Sequence, residues 1–595
     1  MNSIAVLPFK NMSSDKEDEY FSDGITEEII NALCKFDGLD VISRTSSFAF
    51  KNKDTDIREI GKQLNINFIL EGSVRRSGAM VRITAQLIKA EDGFHAWSQK
   101  WDRELKDIFI LQDEIAQLIA ESISLTITPA SVSEQKTISN THAFEYYLKG
   151  LQLLNSFDHH RANDIIGYFE QSIAIDSAFE KSYLGLCDAY TWLSSVGHVN
   201  PMEAHQKVEG YIAHLLTLNP NIPEVYNLVA GKNFWIEWDM HKALENINIS
   251  LRLKPNFAEA YIYRGLIHIV LGCIDEAFAS FFHAERLNPF DPITTYCIGY
   301  LYHLTDNNIK AQEFIEKNEK SADLWSAHYL AYVEILCKNG YFEKAWKVIS
   351  EKETAPSLVS IVPYVKVLYS AYKGDIAKAK EQLLQVEEVI MDNLEQSAPF
   401  LPTISKLYLL TGLKDKALDY FEMAIKYRST PILFALVDST LDELRSEPRF
   451  QEAIDGLPFY LPAPNSSIET KKYRKATLNE KMIKDIKDKL TSVMEGRKPY
   501  LNPRLSSPEL AELIHIPTNQ LSQYLNEHLG KNFYDYVNAY RLKEFQSLKV
   551  NPKYEHLSIL GLALESGFNS KTTFNSFFKR EMGVTPSEFY RKSEE

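Results

Sequence analysis

Cysteine is scarce in this chain. Its five copies, Cys34, Cys187, Cys273, Cys297 and Cys337, are widely scattered with no C-x-x-C pair, which excludes a disulfide framework and the common structural zinc sites. They read as small core residues in a reducing compartment. Long hydrophobic runs are lacking too: none approaches the roughly 18 residues that suggest a membrane span. The start MNSIAVLPFKNMSSD lacks the charged-then-apolar layout of a secretory signal. The expectation is a cytoplasmic protein with no membrane partner. Catalytic signatures are missing as well, with no G-x-x-x-x-G-K-[ST] phosphate loop, no H-E-x-x-H zinc helix and no G-x-S-x-G elbow. The pair His159-His160 has no Cys or His partner at ligand spacing, and adjacent helical residues point about 100° apart, so it reads as a surface turn. Trp235 and Trp238 read as packing residues, and the acidic patch from Asp15 to Asp18 as a solvated loop. No catalytic residue, metal or cofactor is expected, and the chain is not read as an enzyme.

What is present is length and asymmetry. At 595 residues and 45% hydrophobic, the chain is too long for one core, and three or more domains are expected. From Lys471 onward there are 21 Lys and Arg against 15 Asp and Glu, a net of +6. The preceding residues hold 44 basic and 65 acidic groups, a net of −21. An acidic body repels a phosphate backbone and a basic tail is drawn to it, so only the tail is suited to nucleic acid.

The tail's patterning is specific. Gly567 to Arg591 reads GFNSKTTFNSFFKREMGVTPSEFYR and follows an apolar helical run from Ile559 to Ala563. Ser570 suits an N-cap. Phe574, Phe577 and Phe578 recur at i, i+3 and i+4, which gives one aromatic face to bury. The other face carries Lys571, Thr572, Asn575, Ser576 and Lys579. Gly583 suits a left-handed C-cap, and Thr585-Pro586-Ser587-Glu588 opens a closing helix with a cap, a first-position proline and a capping-box glutamate. Upstream, Ser507-Pro508-Glu509 opens a helix with Leu510, Leu513 and Ile514 inward. Thr518 caps another with Leu521 and Leu525 inward and Asn519, Gln520, Ser522 and Gln523 outward. Phe533 to Leu548 is long enough to be a rigid helix between the two units.

On these residues, 500 to 592 resemble the AraC/XylS-type DNA-binding domain. The resemblance implies two helix-turn-helix units on a central helix, each placing a recognition helix in the major groove, here Thr518 to Leu529 and Ser570 to Met582. Two departures stand out: Phe545, where that family often has alanine, which suggests local repacking, and the scarcity of arginine on both recognition faces. Asn and Gln can pair with adenine N6 and N7, and Lys can donate to guanine O6 and N7. Asn519, Gln523, Lys571 and Asn575 are therefore the candidate base readers. Gln520 and Ser522 share the first outward face, and Thr572, Ser576, Lys579 and Arg541 are secondary candidates, as phosphate contacts or, for Arg541, as a brace of the spacer helix. Each of these residues read singly could instead be the solvated face of an amphipathic helix.

The middle repeats itself. Pro220, Pro255 and Pro289 recur at intervals of 35 and 34 residues. Aligning on them brings Gly231 onto Gly265, Ala243 onto Ala277 and Ile247 onto Phe281. EKAWKVI around Ala345 and DKALDYFEMAI around Ala417 continue the series. Small residues where two helices touch and large ones where the next repeat packs are what stacked helical hairpins need. The segment resembles tetratricopeptide repeats, seven or eight of them. The resemblance implies a concave surface for a peptide or another protein; a spacer and dimer scaffold is the bland alternative.

The front differs again. Ile4 to Phe9 reads as a strand, Asp23 to Lys35 as an amphipathic helix, Leu39 to Phe48 as a strand and Ile57 to Leu64 as a helix. Phe68 to Val74, Val81 to Ile88 and His95 to Trp101 are strand-like, with Gly78 and Asp92-Gly93 as turns. The phrases SIAVLPFKNMSSDKEDEYFSDGITEEIINAL, VISRTSSFAFK, IGKQL and ILEGSVRRSG resemble the TolB amino-terminal-like domain found ahead of tetratricopeptide arrays in bacterial regulators and some cyclases. That resemblance implies no catalytic residues.

The expected architecture is multidomain. A small α/β domain with a mixed sheet (1–130) is followed by an all-α tetratricopeptide solenoid (143–457), a Pro/Ser/Lys-rich linker (458–477) and an all-α double helix-turn-helix domain (478–595). The expected function is a sequence-specific transcription regulator that binds double-stranded DNA. Its N-terminal domain and repeats would sense a signal or bind a protein or peptide, and a homodimer is a further candidate. The alternative is an interaction scaffold whose tail binds protein.

Overall fold

The computed structural model describes residues 2–123, 140–317, 326–457 and 480–568, save short gaps within these ranges, and beyond them positions 574, 577, 578, 582, 586 and 589. The proposed linker lies outside the described residues. The described chain divides into two compact units, Met1–Pro464 and Asn465–Glu595.

The first unit begins with a mixed sheet. Its strands are β1 (Asn2–Val6), β2 (Lys10–Asn11), β3 (Leu39–Val41), β4 (Phe68–Ser77), β5 (Met80–Lys89) and β6 (His95–Glu104), in the order β3-β1-β4-β5-β6 with β2 on β4. β1 runs parallel to β3 and β4, while β4, β5 and β6 form an antiparallel meander. Gly78 and Gly93 supply the positive φ of its two turns. Helices α1 (Glu19–Leu33) and α4 (Ile108–Ser122) cover one face, where Phe21, Ile25, Ile29, Ile115 and Ile119 meet Ile4, Val6, Leu70 and Ile83. Helix α3 (Ile57–Leu64), with Phe50 just past α2 (Arg44–Phe48), closes the other face on Ala5, Ile42 and Ile69. The reading of Leu39 to Phe48 as one strand is corrected here. The strand stops at Val41, and Ser43, in an extended conformation, leads straight into α2.

Helical hairpins follow: Thr141–Leu154 with Ala162–Ile175, Glu180–Ser195 with Pro201–Leu218, Pro223–Lys232 with Met240–Leu253, and Ala258–Val270 with Ile274–Leu287. Four more run from Pro292 to Lys426. Their packing follows the small-against-large rule. A Cβ on Gly265 would lie 2.4 Å from the Phe281 ring across the hairpin, so no side chain fits there. Gly265→Ala is expected to cost about 1–3 kcal/mol through overpacking, read as a lower thermal midpoint. An unchanged midpoint would show that the ring moves aside without cost.

The sheet and the hairpins share one core. Phe144, Tyr147 and Leu148 pack with α1 and α4, and the Ser46 hydroxyl bonds Asn288 Oδ1 at 2.7 Å. Arg286 pairs with Asp40 at 2.8 Å, and Lys254 holds Glu224 at 2.9 Å and Asn31 Oδ1 at 3.1 Å. The front domain is therefore seated on the loops between repeats and does not hang free.

The last part of the solenoid crosses the first helices of earlier hairpins. Arg428 Nη1 donates to the Ile236 carbonyl at 3.2 Å, and Phe434 packs against Phe234, Trp235 and Tyr300. Asp438 meets Lys406 at 2.6 Å, and Lys338 Nζ donates to the Thr440 hydroxyl at 2.9 Å. From Phe234 to Lys406 the described chain therefore covers part of these first helices with its own segment. Trp235 and Trp238 are packing residues here, and Trp238 is buried.

Cys34, Cys187, Cys297 and Cys337 are buried, and Cys273 is half-buried with its Sγ 3.8 Å from the Leu271 carbonyl. Burial pushes the Cys34 thiol up to about 11. Among the described residues no helix is long and apolar enough to cross a membrane.

Candidate nucleic-acid interface

The second unit is built from two apolar cores on one helix. Its first element, Glu480–Gly496, turns Ile486, Leu490 and Met494 inward. They pack with Tyr500, Leu510 and Ile514 and with Leu521, Tyr524 and Leu525, whose i, i+3, i+4 spacing gives the next helical stretch a single buried face. The second core gathers Leu562, Ala563 and Phe568 with Phe574, Phe577 and Phe578. The helix Phe533–Lys549 serves both: Tyr536 and Val537 belong to the first core, and Leu542 and Phe545 to the second. Phe545 is fully buried, with ring centroids 4.6 Å from Phe574 and 6.0 Å from Phe578. The aromatic stripe read from sequence is thus buried on an aromatic partner that replaces the small residue common in the resembling family.

Between the cores lies a polar joint. The Arg541 side chain, 5% exposed, donates from Nε to the Tyr500 carbonyl and from Nη2 to the Asn502 carbonyl, both at 2.8 Å. Nη1 donates to Asn538 Oδ1 at 3.1 Å. Arg541 is therefore a brace and not a free phosphate contact. The Tyr500 hydroxyl donates to Glu544 at 3.0 Å, and Lys498 pairs with the same carboxylate at 2.9 Å. Burial and the Glu544 charge push the Tyr500 hydroxyl above its usual value.

Of the candidate readers, Gln520 lies at the start of the helical stretch that buries Leu521, and it is half-buried. Asn519, Ser522, Gln523, Lys571, Thr572, Asn575, Ser576 and Lys579 lie outside the described residues. The buried positions around them are placed, with Phe574, Phe577 and Phe578 helical and packed inward.

Residues 510–592 match the family described as "Helix-turn-helix domain". The tail carries a helix-turn-helix domain. Its two cores on a shared helix are the AraC-type organisation the sequence suggested. At the other end, residues 1–118 match "HilA/YgeH-like transcriptional regulator, second domain". Among curated relatives, the chain is 42% identical over 158 residues to a putative adenylate cyclase 3 of Rhizobium meliloti (strain 1021), covering 26% of this chain and 27% of that protein. It is 28% identical over 111 residues to an uncharacterized HTH-type transcriptional regulator of Staphylococcus aureus (strain COL), covering 19% of this chain and 14% of that one. The chain thus spans well under a third of the length of these relatives. Among solved structures, a tetratricopeptide repeat protein from Parabacteroides merdae is 15% identical with a TM-score of 0.30, over 45% of this chain and 99% of that one.

The His159 and His160 rings lie 4.2 Å apart with His198 at 5.9 Å from His159. Among the described residues no group of three or more His, Cys, Asp or Glu is arranged to hold a metal ion.

Proposed function

We propose that this chain is a DNA-binding transcription regulator of the cytoplasm that reads a specific promoter sequence through its helix-turn-helix domain, while the sheet domain and repeats receive a signal or bind a protein or peptide. The observation that carries the reading is the pair of apolar cores on one shared helix, which holds two helical units in register. The regulator-type match at the opposite end and the +6 tail beside a −21 body support it. The chain is proposed to act without enzymatic chemistry of its own. Because the chain's own segment covers part of the first helices of the repeats, a partner would engage the remaining surface.

Gel-shift titration of the full chain against genomic fragments tests this. Preferred fragments are expected, with affinity falling about 10³-fold or more between about 50 and 200 mM salt if six or more phosphates are neutralised. Lys571→Ala or Asn575→Ala should cost about 1–3 kcal/mol at one base position. Equal weakening on every sequence would make them phosphate contacts, and binding with neither salt dependence nor sequence preference would favour a protein-binding tail.

A further inference from the structure

The turn Pro499–Leu501, which joins the first helix of the tail to the helix Ser507–Leu513, is held from two directions. From the central helix, the Arg541 fork takes the carbonyls of Tyr500 and Asn502, and Glu544 takes the Tyr500 hydroxyl and Lys498. From the second helix-turn-helix half, Gly567 comes so close that a Cβ there would lie 2.2 Å from the Tyr500 carbonyl oxygen and 2.9 Å from Leu501 Cα. Gly567 has φ +95°, where glycine is at ease and a side chain is not.

The connectivity gives these contacts their meaning. The Tyr500 side chain is buried in the first core, and its ring lies 5.5 Å from that of Tyr540. Gly567 is followed directly by Phe568, which is buried in the second core against Phe574 and Phe577. One peptide of the first helix-turn-helix half therefore touches one peptide of the second half, and the guanidinium fixes that peptide to the helix both halves share. A helix alone would leave each unit free to rock about it. A second, backbone-to-backbone contact 67 positions apart in sequence removes that freedom.

We propose that Arg541 and Gly567 are positioning residues that set the separation and relative turn of the two helix-turn-helix units, and so decide which spacing of half-sites on DNA the protein accepts. The inference rests on the DNA-binding reading above. Each base pair inserted between half-sites turns the second by about 35° and moves it by about 3.4 Å. A locked joint cannot follow such a change, and a loosened one can. Arg541→Met removes the fork. Arg541→Lys keeps the charge but offers a single ammonium in place of a planar fork that reaches two carbonyls at once. Gly567→Ala wedges the contact apart.

The test uses the full chain and a bound fragment whose half-sites have been footprinted, remade with one or two base pairs added or removed between them. For the natural protein, affinity should fall about tenfold or more on a one-base-pair change, on the order of the loss for one mismatched position. In Arg541→Met and Gly567→Ala the same change should cost about threefold or less, with Arg541→Lys between. Far-ultraviolet circular dichroism and a melt confirm that the variants are folded. Variants that lose affinity by one common factor at every spacing, or keep the natural profile, overturn the proposal. So does loss of the tail's folding in all three, since the contact would then hold the fold and not the spacing. A natural protein that prefers no sequence removes the DNA reading itself, whereas sharp spacing in the natural protein and all variants removes this inference alone.

Discussion

Replacing Lys406 by methionine is expected to destabilise the solenoid by about 3–5 kcal/mol, the cost of stranding buried charges. Lys406 lies 2.6 Å from an Asp438 oxygen and 3.1 Å from a Glu334 oxygen, and the three side chains are only 13%, 4% and 3% exposed. Without the ammonium, two carboxylates face each other where water cannot reach. What remains for Glu334 is His303 Nε2 at 3.4 Å and the Tyr372 hydroxyl at 3.1 Å. Denaturant unfolding of the full chain, followed in the solenoid by hydrogen exchange, measures the loss. A loss below about 1 kcal/mol would mean that solvent reaches the pair, as at exposed ion pairs. Adding Glu334→Gln and Asp438→Asn to the variant should restore most of the stability, because a neutral buried group costs far less than an unpaired charge.

The same site fixes a pH dependence. Burial by itself raises both carboxyls, but the Lys406 charge, with help from His303, holds Glu334 well below and Asp438 below the usual carboxylate range. Groups with depressed folded values stabilise the protein above their unfolded values of about 4. That contribution is lost as the pH drops through the lower folded values. In Lys406→Met the opposing charge is gone, burial prevails and the carboxyls rise. The folded variant then takes up protons more readily than the unfolded chain, so its deficit against the natural protein should narrow as the pH falls from about 7 toward 4. A deficit that is constant or grows on acidification would contradict this account.

Local rules reached a good part of this architecture from sequence, because hairpins, caps and aromatic stripes are short-range devices. Ile57–Leu64 is helical with the boundaries its pattern set, with Asp56 as cap, and the glycine turns fall at Gly78 and Gly93. The stripe Phe574, Phe577 and Phe578 is buried as its spacing requires. The helix Glu480–Gly496 was missed, although Ile486, Leu490 and Met494 recur at helical spacing within a charge-rich stretch. Contacts between distant segments were not legible. Nothing around Arg428 or Phe434 says that they cross to residues 234–238, some 192 positions earlier for Arg428. Lys406, Glu334 and Asp438 read singly as solvated helix charges, and only the fold brings them together. The Gly567 turn was visible, but its closeness to Tyr500 was not.

Phe545→Ala is expected to cost about 3–5 kcal/mol, the range for emptying a buried phenylalanine site, although it installs the residue that the resembling family often carries there. A consensus argument would favour the change, and packing forbids it here. The Phe545 ring is fully buried with Phe574 and Phe578 around it and Leu542, Leu562 and Phe568 in the same cluster. Large rings shaped around a ring cannot collapse onto a methyl group, so a cavity remains. A domain stable by about 5–15 kcal/mol cannot lose that much without local opening. The opening should be confined to the second core, because Ile486, Leu490, Leu521 and Val537 belong to the other one. Hydrogen exchange should accelerate in Ile559–Glu565 while amides of Glu480–Gly496 keep their protection. Sequence-specific DNA affinity should then fall to the level of random DNA, with salt-dependent non-specific binding retained. Phe545→Leu, which fills most of the volume, should lose far less. A Phe545→Ala variant as stable as the natural protein would mean that the remaining rings close the gap unaided, and the second helix-turn-helix half would then owe its fold to something other than this aromatic core.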